Sequence, residues 1–412
     1  MTEMVRERGE RSRQRRRCGA RVLALAVGLG WQDVPSASGP REGAAPAACY
    51  TVEPVPDLGD PPSPWQVFVD LDEDGRVLLN TSLQEESSRA YLWSGGPPQP
   101  IVVEDARSLH ALDMNERGEV LVAAYRDGEE GEQAFVWQDG EVRAEIPLPQ
   151  NDGVERGWID DDGRVVLRLI IEHADRFIYR RAVLWRDDEV QDLGIWTVGD
   201  VNEDNLIAGI DLDSGELAKW RANRKLDAVE LCPLGVLQNN DVRINRRGQV
   251  LASMYCNTED VLDIDERLVL WDGDEVREMP RLGGEPMRFV DLNDRGDVLG
   301  SVSAEKGLVP VLWRGEELLE IPLAPGLEAV EVTDINEDGL ITGFSYEGGQ
   351  VVGDVSGLKP LPPAPGFTGD QVYGKLNERG VIVHSLADDY FEVEELRTFV
   401  WRPSACDVQQ GP

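Results

Sequence analysis

Apolar residues along this chain fall into short runs separated by polar turns, and no stretch keeps the 3.6-residue spacing of an amphipathic helix for three turns. With 42 Gly and 25 Pro as punctuation, the pattern is that of an all-β protein. Residues 106–148 show it most cleanly. Leu109–Met114 reads as a strand, Asn115 to Gly118 as a turn, and Glu119–Tyr125 as a second strand centred on Val120, Leu121 and Val122. After the polar stretch Arg126–Glu132 come a third strand, Gln133–Trp137, a turn at Gln138–Gly140, and a fourth strand over Glu141–Leu148. Four antiparallel strands in about 44 residues are the content of one propeller blade.

The pattern returns about every 43 residues, a period that marks a solenoid or a propeller. Each copy carries a signature: an acidic or amide residue, an apolar one, Asn or Asp, two polar residues, Gly, then a β-branched run. The copies are Asp70–Gly75, Asp113–Gly118, Asp160–Gly163, Asp200–Asn205, Asn245–Gly248, Asp291–Gly296, Asp334–Gly339 and Asn377–Gly380. A tight link between strands asks for a left-handed residue at its end, open to Gly and next to Asn. Asn205 in the Gly slot of the fourth copy therefore points to a backbone requirement rather than a chemical one. Leu71, Met114, Ile159, Val201, Ile244, Leu292, Ile335 and Leu376, just ahead of the Asn/Asp, are expected to pack between blades. So are Trp93, Trp137, Trp185, Trp220, Trp271, Trp313 and Trp401, which end seven of the eight third strands, with Gln350-Val351-Val352 in the remaining one.

Residues 50–58 read as a fourth strand with no blade before it, and Arg397–Trp401 as a third strand with no fourth after it. Pairing the two closes a ring and removes two exposed sheet edges. The expected fold is an all-β, eight-bladed β-propeller of four-stranded antiparallel blades over 49–406. It is closed by strand 50–58 against strand 397–402, with a tail at 407–412. Seven blades is the alternative if one copy is degenerate.

Several phrases resemble the bacterial extracellular HAF repeat, whose pattern runs Asp-Ile-Asn, Gly-x-Val-Val-Gly, Ala-Phe-Leu-Trp and Asp-Leu-Gly. They are Asp334-Ile335-Asn336 to Gly339, Asp291-Leu292-Asn293 to Val298-Leu299-Gly300, Ala134-Phe135-Val136-Trp137 and Asp192-Leu193-Gly194. The resemblance covers nearly all of 50–402, although a Leu-Gly-Gly element survives only at Leu282-Gly283-Gly284. It implies an exported propeller and no defined catalytic residues.

The ends of the chain agree with export. An Arg-rich segment at 6–21 precedes the apolar Val22–Leu29 and then small residues through Ala48, the layout of a secretory signal peptide. Residues 1–48 are thus expected to be an export leader, and the protein to be secreted, periplasmic or on a bacterial cell surface. No other segment approaches the ~20 apolar residues that span a bilayer. The formal charge is −37, and without the leader 32 basic residues face 73 acidic ones, a balance of −41. Such a surface repels nucleic acid and anionic membrane. Beyond Cys18 in the leader, four cysteines remain. Cys49 opens the first strand and Cys406 follows the last, so ring closure would let them form one disulfide, leaving Cys232–Cys256 as the second. Free thiols in a cytoplasmic protein are the alternative.

Candidate chemistry is sparse. Asp70-x-Asp72-x-Asp74-Gly75 has the alternating oxygens of a calcium loop, but position twelve, where a bidentate acid belongs, is Thr81 here and Ser345 in the seventh copy. Arg117, Arg295 and Arg379 occupy a ligand slot in other copies. Turn chemistry is therefore expected over metal, and no cofactor, with calcium the disfavoured alternative. His110, His173 and His384 fall in different blades, which suggests neither a metal cluster nor a Ser-His-Asp triad. The second-to-third strand connections Asn80–Arg89, Glu172–Arg180 and Asn257–Arg267 vary and emerge on one face, where repeat arrays bind. Eight residues before each Gly slot lies a mixed row, from which His110, Glu155, Asn240, Arg288 and Glu331 are the candidate ligand-binding residues of a channel mouth. The expected function is a monomeric binding or scaffolding module for a protein or glycan. The rival is a polysaccharide-directed hydrolase or lyase, which three or more convergent acid, His or Arg groups would favour.

Overall fold

A computed structural model describes residues 49–405 except 60–62, 83–87, 130, 149–151, 173–177, 194–196, 212–213, 223, 233–235, 258–263, 282–286, 305–306, 346–348, 368–369 and 388–393. The strands assemble into eight four-stranded antiparallel sheets, seven of them continuous in sequence. Their first strands are Val67–Leu71, Ala106–Met114, Asp152–Ile159, Thr197–Val201, Val236–Ile244, Met287–Leu292, Val330–Ile335 and Asp370–Leu376, which define blades 1 to 8. First strands of neighbouring blades pack on one another, that of blade 1 on that of blade 8 included, except that the first strand of blade 4 packs on the second and third strands of blade 3. The chain is an eight-bladed β-propeller with the first strands innermost.

Blade 8 takes its outermost strand from the start of the domain. Cys49–Pro54 pairs antiparallel with Leu396–Ser404, Cys49 opposite Ser404 and Pro54 opposite Phe399. The pairing is shorter than 50–58: Val55 N still donates to Thr398 O at 2.9 Å, Pro56 then has no N–H to continue, and Val55 and Leu58 pack in the core with Val383 and Val400. Cys232 and Cys256 form a disulfide that ties the start of blade 5 to its second strand. Cys49 is itself disulfide-bonded; its expected partner Cys406 lies outside the described residues, as do the leader, His173 and the Leu282 element.

The core is a series of apolar layers between blades. The residues ahead of the Asn/Asp are buried there, Val201 partly so, and the tryptophans sit opposite β-branched residues, as in Val120↔Trp137 and Ile382↔Trp401. In blade 7 the equivalent of Trp is Gly353, opposite Ile341. A Cβ there would collide with the Gly357 carbonyl, so the backbone itself fills the space. Cations of a preceding blade cover three of the indoles: Lys219 over Trp271 at 3.9 Å, Arg277 over Trp313 at 5.4 Å and Arg402 over Trp93 at 5.9 Å.

The signature is a turn with a left-handed fourth residue. Gly118 N donates to Asn115 O at 2.9 Å, and Asn115 N to Glu119 O at 3.1 Å. Gly118 has φ +75°, and Asn205 in the substituted copy has φ +58°. The Gly slot is thus a backbone requirement.

Candidate functional site

The signature also stitches the blades. Its Asn side chain accepts from its own turn and donates onward: Asn202 Nδ2 to Asn245 O (2.7 Å), Asn245 to Asn293 O (2.9 Å), Asn293 to Asn336 O (3.1 Å), Asn336 to Asn377 O (3.2 Å) and Asn377 to Asp72 O (2.8 Å). An Asp at this position cannot donate. Asp72 is instead ion-paired with Arg76, which reaches Glu116 O of blade 2 at 3.1 Å and so replaces the missing stitch. Asp160 holds Arg164 in the same way at 3.4 Å. These contacts give the calcium-like Asp residues partners within the turn and across to the next blade; among the described residues no group of three or more His, Cys, Asp or Glu is placed to hold a metal.

One residue further, at the end of the channel, a second ring donates in the same direction, now from backbone N–H to the carboxylate of the next blade. Glu73 N donates to Glu116, Glu116 N to Asp161, Arg246 N to Asp294, Asp294 N to Glu337, Glu337 N to Glu378, and Glu378 N to Glu73. Arg246 is the single cation in this acidic circle and also pairs with Glu203. Burial raises the carboxyls of Glu116 and Glu337, and pushes Glu378 up to about 7.

Deeper on the axis the position that opens the signature forms a third ring: Asp70, Asp113, Trp158, Asp200, Arg243, Asp291, Asp334 and Lys375. Lys375 stands between two aspartate pairs, with Nζ 2.6 Å from Asp70 Oδ1 and Asp334 on its other side. Burial and the adjacent Asp70 hold the Asp113 carboxyl well above its usual range, and burial and Asp291 do the same to Asp334. Each of these two acids thus stands beside a neighbouring carboxyl in a buried setting, which disfavours its charged form. Lys375 is nonetheless reached by water, 48% exposed, because it faces a cavity of about 730 Å³. Asp291, Arg246, Arg379 and the carboxylates of the second ring also line that cavity.

Asp113, Asp200 and Asp334 each accept a backbone N–H from the next blade: Ile159 at 2.8 Å, Ile244 at 3.0 Å and Leu376 at 2.6 Å. The three receiving blades are those whose own ring residue is Trp158, Arg243 or Lys375. They differ in one further respect. In the five Asp blades a β-bulge falls directly before the acid, at Val69, Leu112, Gly199, Val290 and Thr333. In blades 3, 5 and 8 it falls two residues earlier, at Glu155, Asn240 and Val372.

The bulge displaces the mixed row expected at the channel mouth. His110, Arg288 and Glu331 stand opposite Ala123, Ser301 and Phe344, but Glu155 and Asn240 are the extra residues of the bulges, and Arg156 and Asp241 take their places opposite Arg168 and Ser253. His110 is buried against the Glu132 carboxylate, Nδ1 3.4 Å away, and burial holds it neutral by lowering it to about 4. Glu155 pairs with Arg168 at 2.9 Å, Arg288 is exposed and Glu331 half-buried. The side chain of Asn240 lies outside the described residues. A convergent set of charged groups lies at the signature-turn end of the channel, opposite the variable connections. Residue spacing hides them because they come one from each repeat, but the first letter of each signature is their signal.

No protein-family profile and no curated protein sequence matches the chain. Solved structures resemble it as propellers. The β-propeller domain of the Trilobed protease from Pyrococcus furiosus is 14% identical, with 73% of this chain and 84% of that one covered and a TM-score of 0.41. The C-terminal WD40 domain of Sif2 is 11% identical, with 83% and 98% covered and a TM-score of 0.49. For a puromycin hydrolase the values are 12%, 78%, 58% and 0.44. At these identities the likeness extends no further than blade architecture, which the strand pairing establishes on its own.

Proposed function

We propose that this chain is an exported binding or scaffolding propeller that takes a protein or glycan on its variable-loop face. One observation carries the reading: the charged groups nearest the axis are engaged in bonds between blades, so that the ring is a rigid frame and sequence variation is left to the loops at its other end. The HAF-like repeats and the leader-like residues 1–48 support export, and no described helix is long and apolar enough to cross a membrane. The full chain, screened on a glycan array and in pull-downs, is expected to capture a ligand that is lost when Asn80–Arg89 and Asn257–Arg267 are exchanged for short Gly/Ser links. Retention of that ligand after the exchange would refute the loop face.

A second reading, a polysaccharide hydrolase or lyase, is favoured by one feature. Lys375 and Asp291 line the axial cavity, Asp70 and Asp334 adjoin Lys375, and burial holds the carboxyls of Asp113 and Asp334 well above their usual range. Release of reducing ends or unsaturated uronates from an acidic polysaccharide, abolished in Lys375→Met, would replace the binding reading with this one.

A further inference from the structure

In a chain of net charge −37, four guanidinium groups line one cavity: Arg117, Arg143, Arg164 and Arg186, around about 580 Å³ between blades 2 and 3 on the signature-turn side. Carboxylates of Glu119, Asp162, Asp187 and Asp188 share the wall. Arg143 is only loosely engaged, 3.6 Å from Glu141 and 3.9 Å from Asp139, and about half exposed. Trp185 also lines the cavity; it is 92% buried, and its indole N–H meets no acceptor among the described residues.

The orphaned donor has a structural cause. In blade 5 the two-residue turn has positive φ only at Gly273 (+57°), and the Gly273 carbonyl accepts Trp271 Nε1 at 2.8 Å. In blade 3 both turn residues, Asp187 (+52°) and Asp188 (+63°), are left-handed. The two turn types differ by a flip of their central peptide, which carries the first carbonyl away from the indole. Blade 2 has the same double left-handed turn, at Asp139 and Gly140, and Trp137 likewise lacks an acceptor, but it is 1% exposed and lines no described cavity. A buried N–H left unpaired is costly, and a ligand oxygen at Trp185 would remove that cost.

We propose that this cavity binds an acidic saccharide, its carboxylate or sulfate held by Arg143 and Arg186, its hydroxyls donating to Asp162 and Asp187, and one oxygen accepting the Trp185 indole N–H. Guanidinium groups alone would suit any oxyanion; the interleaved carboxylates demand a ligand that also donates. A nucleic acid, with no comparable density of donors and a uniform negative charge, is disfavoured by the same walls. The site lies opposite the variable loops, so its success or failure is independent of the loop-face reading, and loop exchange leaves it intact.

The test is calorimetry on the full chain with trigalacturonate, a sulfated disaccharide, maltotriose and inorganic sulfate, paired with ¹⁵N spectra of the tryptophan indoles. One or both acidic saccharides bind, which decides between carboxylate and sulfate, and the Trp185 indole resonance shifts. Maltotriose and sulfate bind at least about tenfold more weakly, and Arg143→Gln and Arg186→Gln each lower affinity about tenfold, the scale of one charge-assisted bond. Trp185→Phe lowers it several-fold; if that variant fails to fold, the arginine variants decide. Sulfate binding as tightly as the saccharides, no binding of either saccharide, or binding indifferent to both arginine variants would each overturn the proposal.

Discussion

Five blades present an aspartate to the axis and three present Trp158, Arg243 or Lys375, and the two kinds differ in backbone as well as in chemistry. Where the acid is present the bulge immediately precedes it; where it is absent the bulge is two residues earlier. Each blade without the acid follows one whose aspartate accepts its backbone N–H. A bulge inserts an unpaired residue and reorients the backbone around it. Moving it therefore changes which N–H groups remain for a neighbour to satisfy. The comparison teaches that the signature acid is an acceptor supplied to the next blade where that blade lacks an acid of its own, and that the ring is built from complementary rather than identical repeats.

Breaking the complementarity at blade 8 should cost most. Lys375→Met leaves Asp70 and Asp334 facing each other without their cation, and urea denaturation should show a loss of about 2 kcal/mol, below the ~3–5 of a dry pair because water reaches Lys375. Combining it with Asp70→Asn should restore much of the loss. Next, Asp113→Ala should cost about 1–2 kcal/mol by orphaning Ile159 N–H, whereas Asp113→Asn, a mimic of the protonated acid, should change stability by less than about 0.5 kcal/mol. An asparagine as harmful as alanine would show that Asp113 is ionised despite its burial.

Smaller again is the stitch itself. Asn336→Asp removes the donor to Asn377 O and should cost about 1 kcal/mol. Adding Leu340→Arg, which copies the Asp72–Arg76 arrangement, should recover part of it. The smallest effect is on pH dependence. Glu378 has its value raised from 4.5 to about 7, so its contribution to stability is full below about 4.5 and is lost as pH rises through 7. Burial lowers His110 and His384 to about 4 and about 3, so they contribute fully above 6.5 and lose that stability as pH falls. Between about pH 6.5 and 8 only the acids act, and the melting temperature should fall with rising pH, less steeply in Glu378→Gln. An unchanged slope in that variant would place the titration elsewhere in the ring.

The blade count, the antiparallel order, the closing strand pair, the left-handed slot and the buried tryptophans were all legible along the chain. Each follows from local periodicity or from a backbone conformation that few residues accept, as Asn205 shows. The candidate site was legible only in part. His110, Glu155, Asn240, Arg288 and Glu331 share an offset from the Gly slot, but a shared offset becomes a shared orientation only if every strand is regular, and the bulges at Glu155 and Asn240 break that condition. His110 is polar in sequence and buried beside Glu132 in space.

The sequence alone determined the repeat, its strands and the end-to-end closure, because side-chain alternation and turn geometry act over a few neighbouring residues. Only the tertiary structure decided what the signature acids do, which blades carry the displaced bulge, and that Trp185 faces a cavity with its N–H unpaired. Those properties belong to contacts between blades, made by residues about 43 positions apart or, at the closure, more than 300. No local pattern encodes which of two neighbouring repeats will offer the acceptor and which the donor.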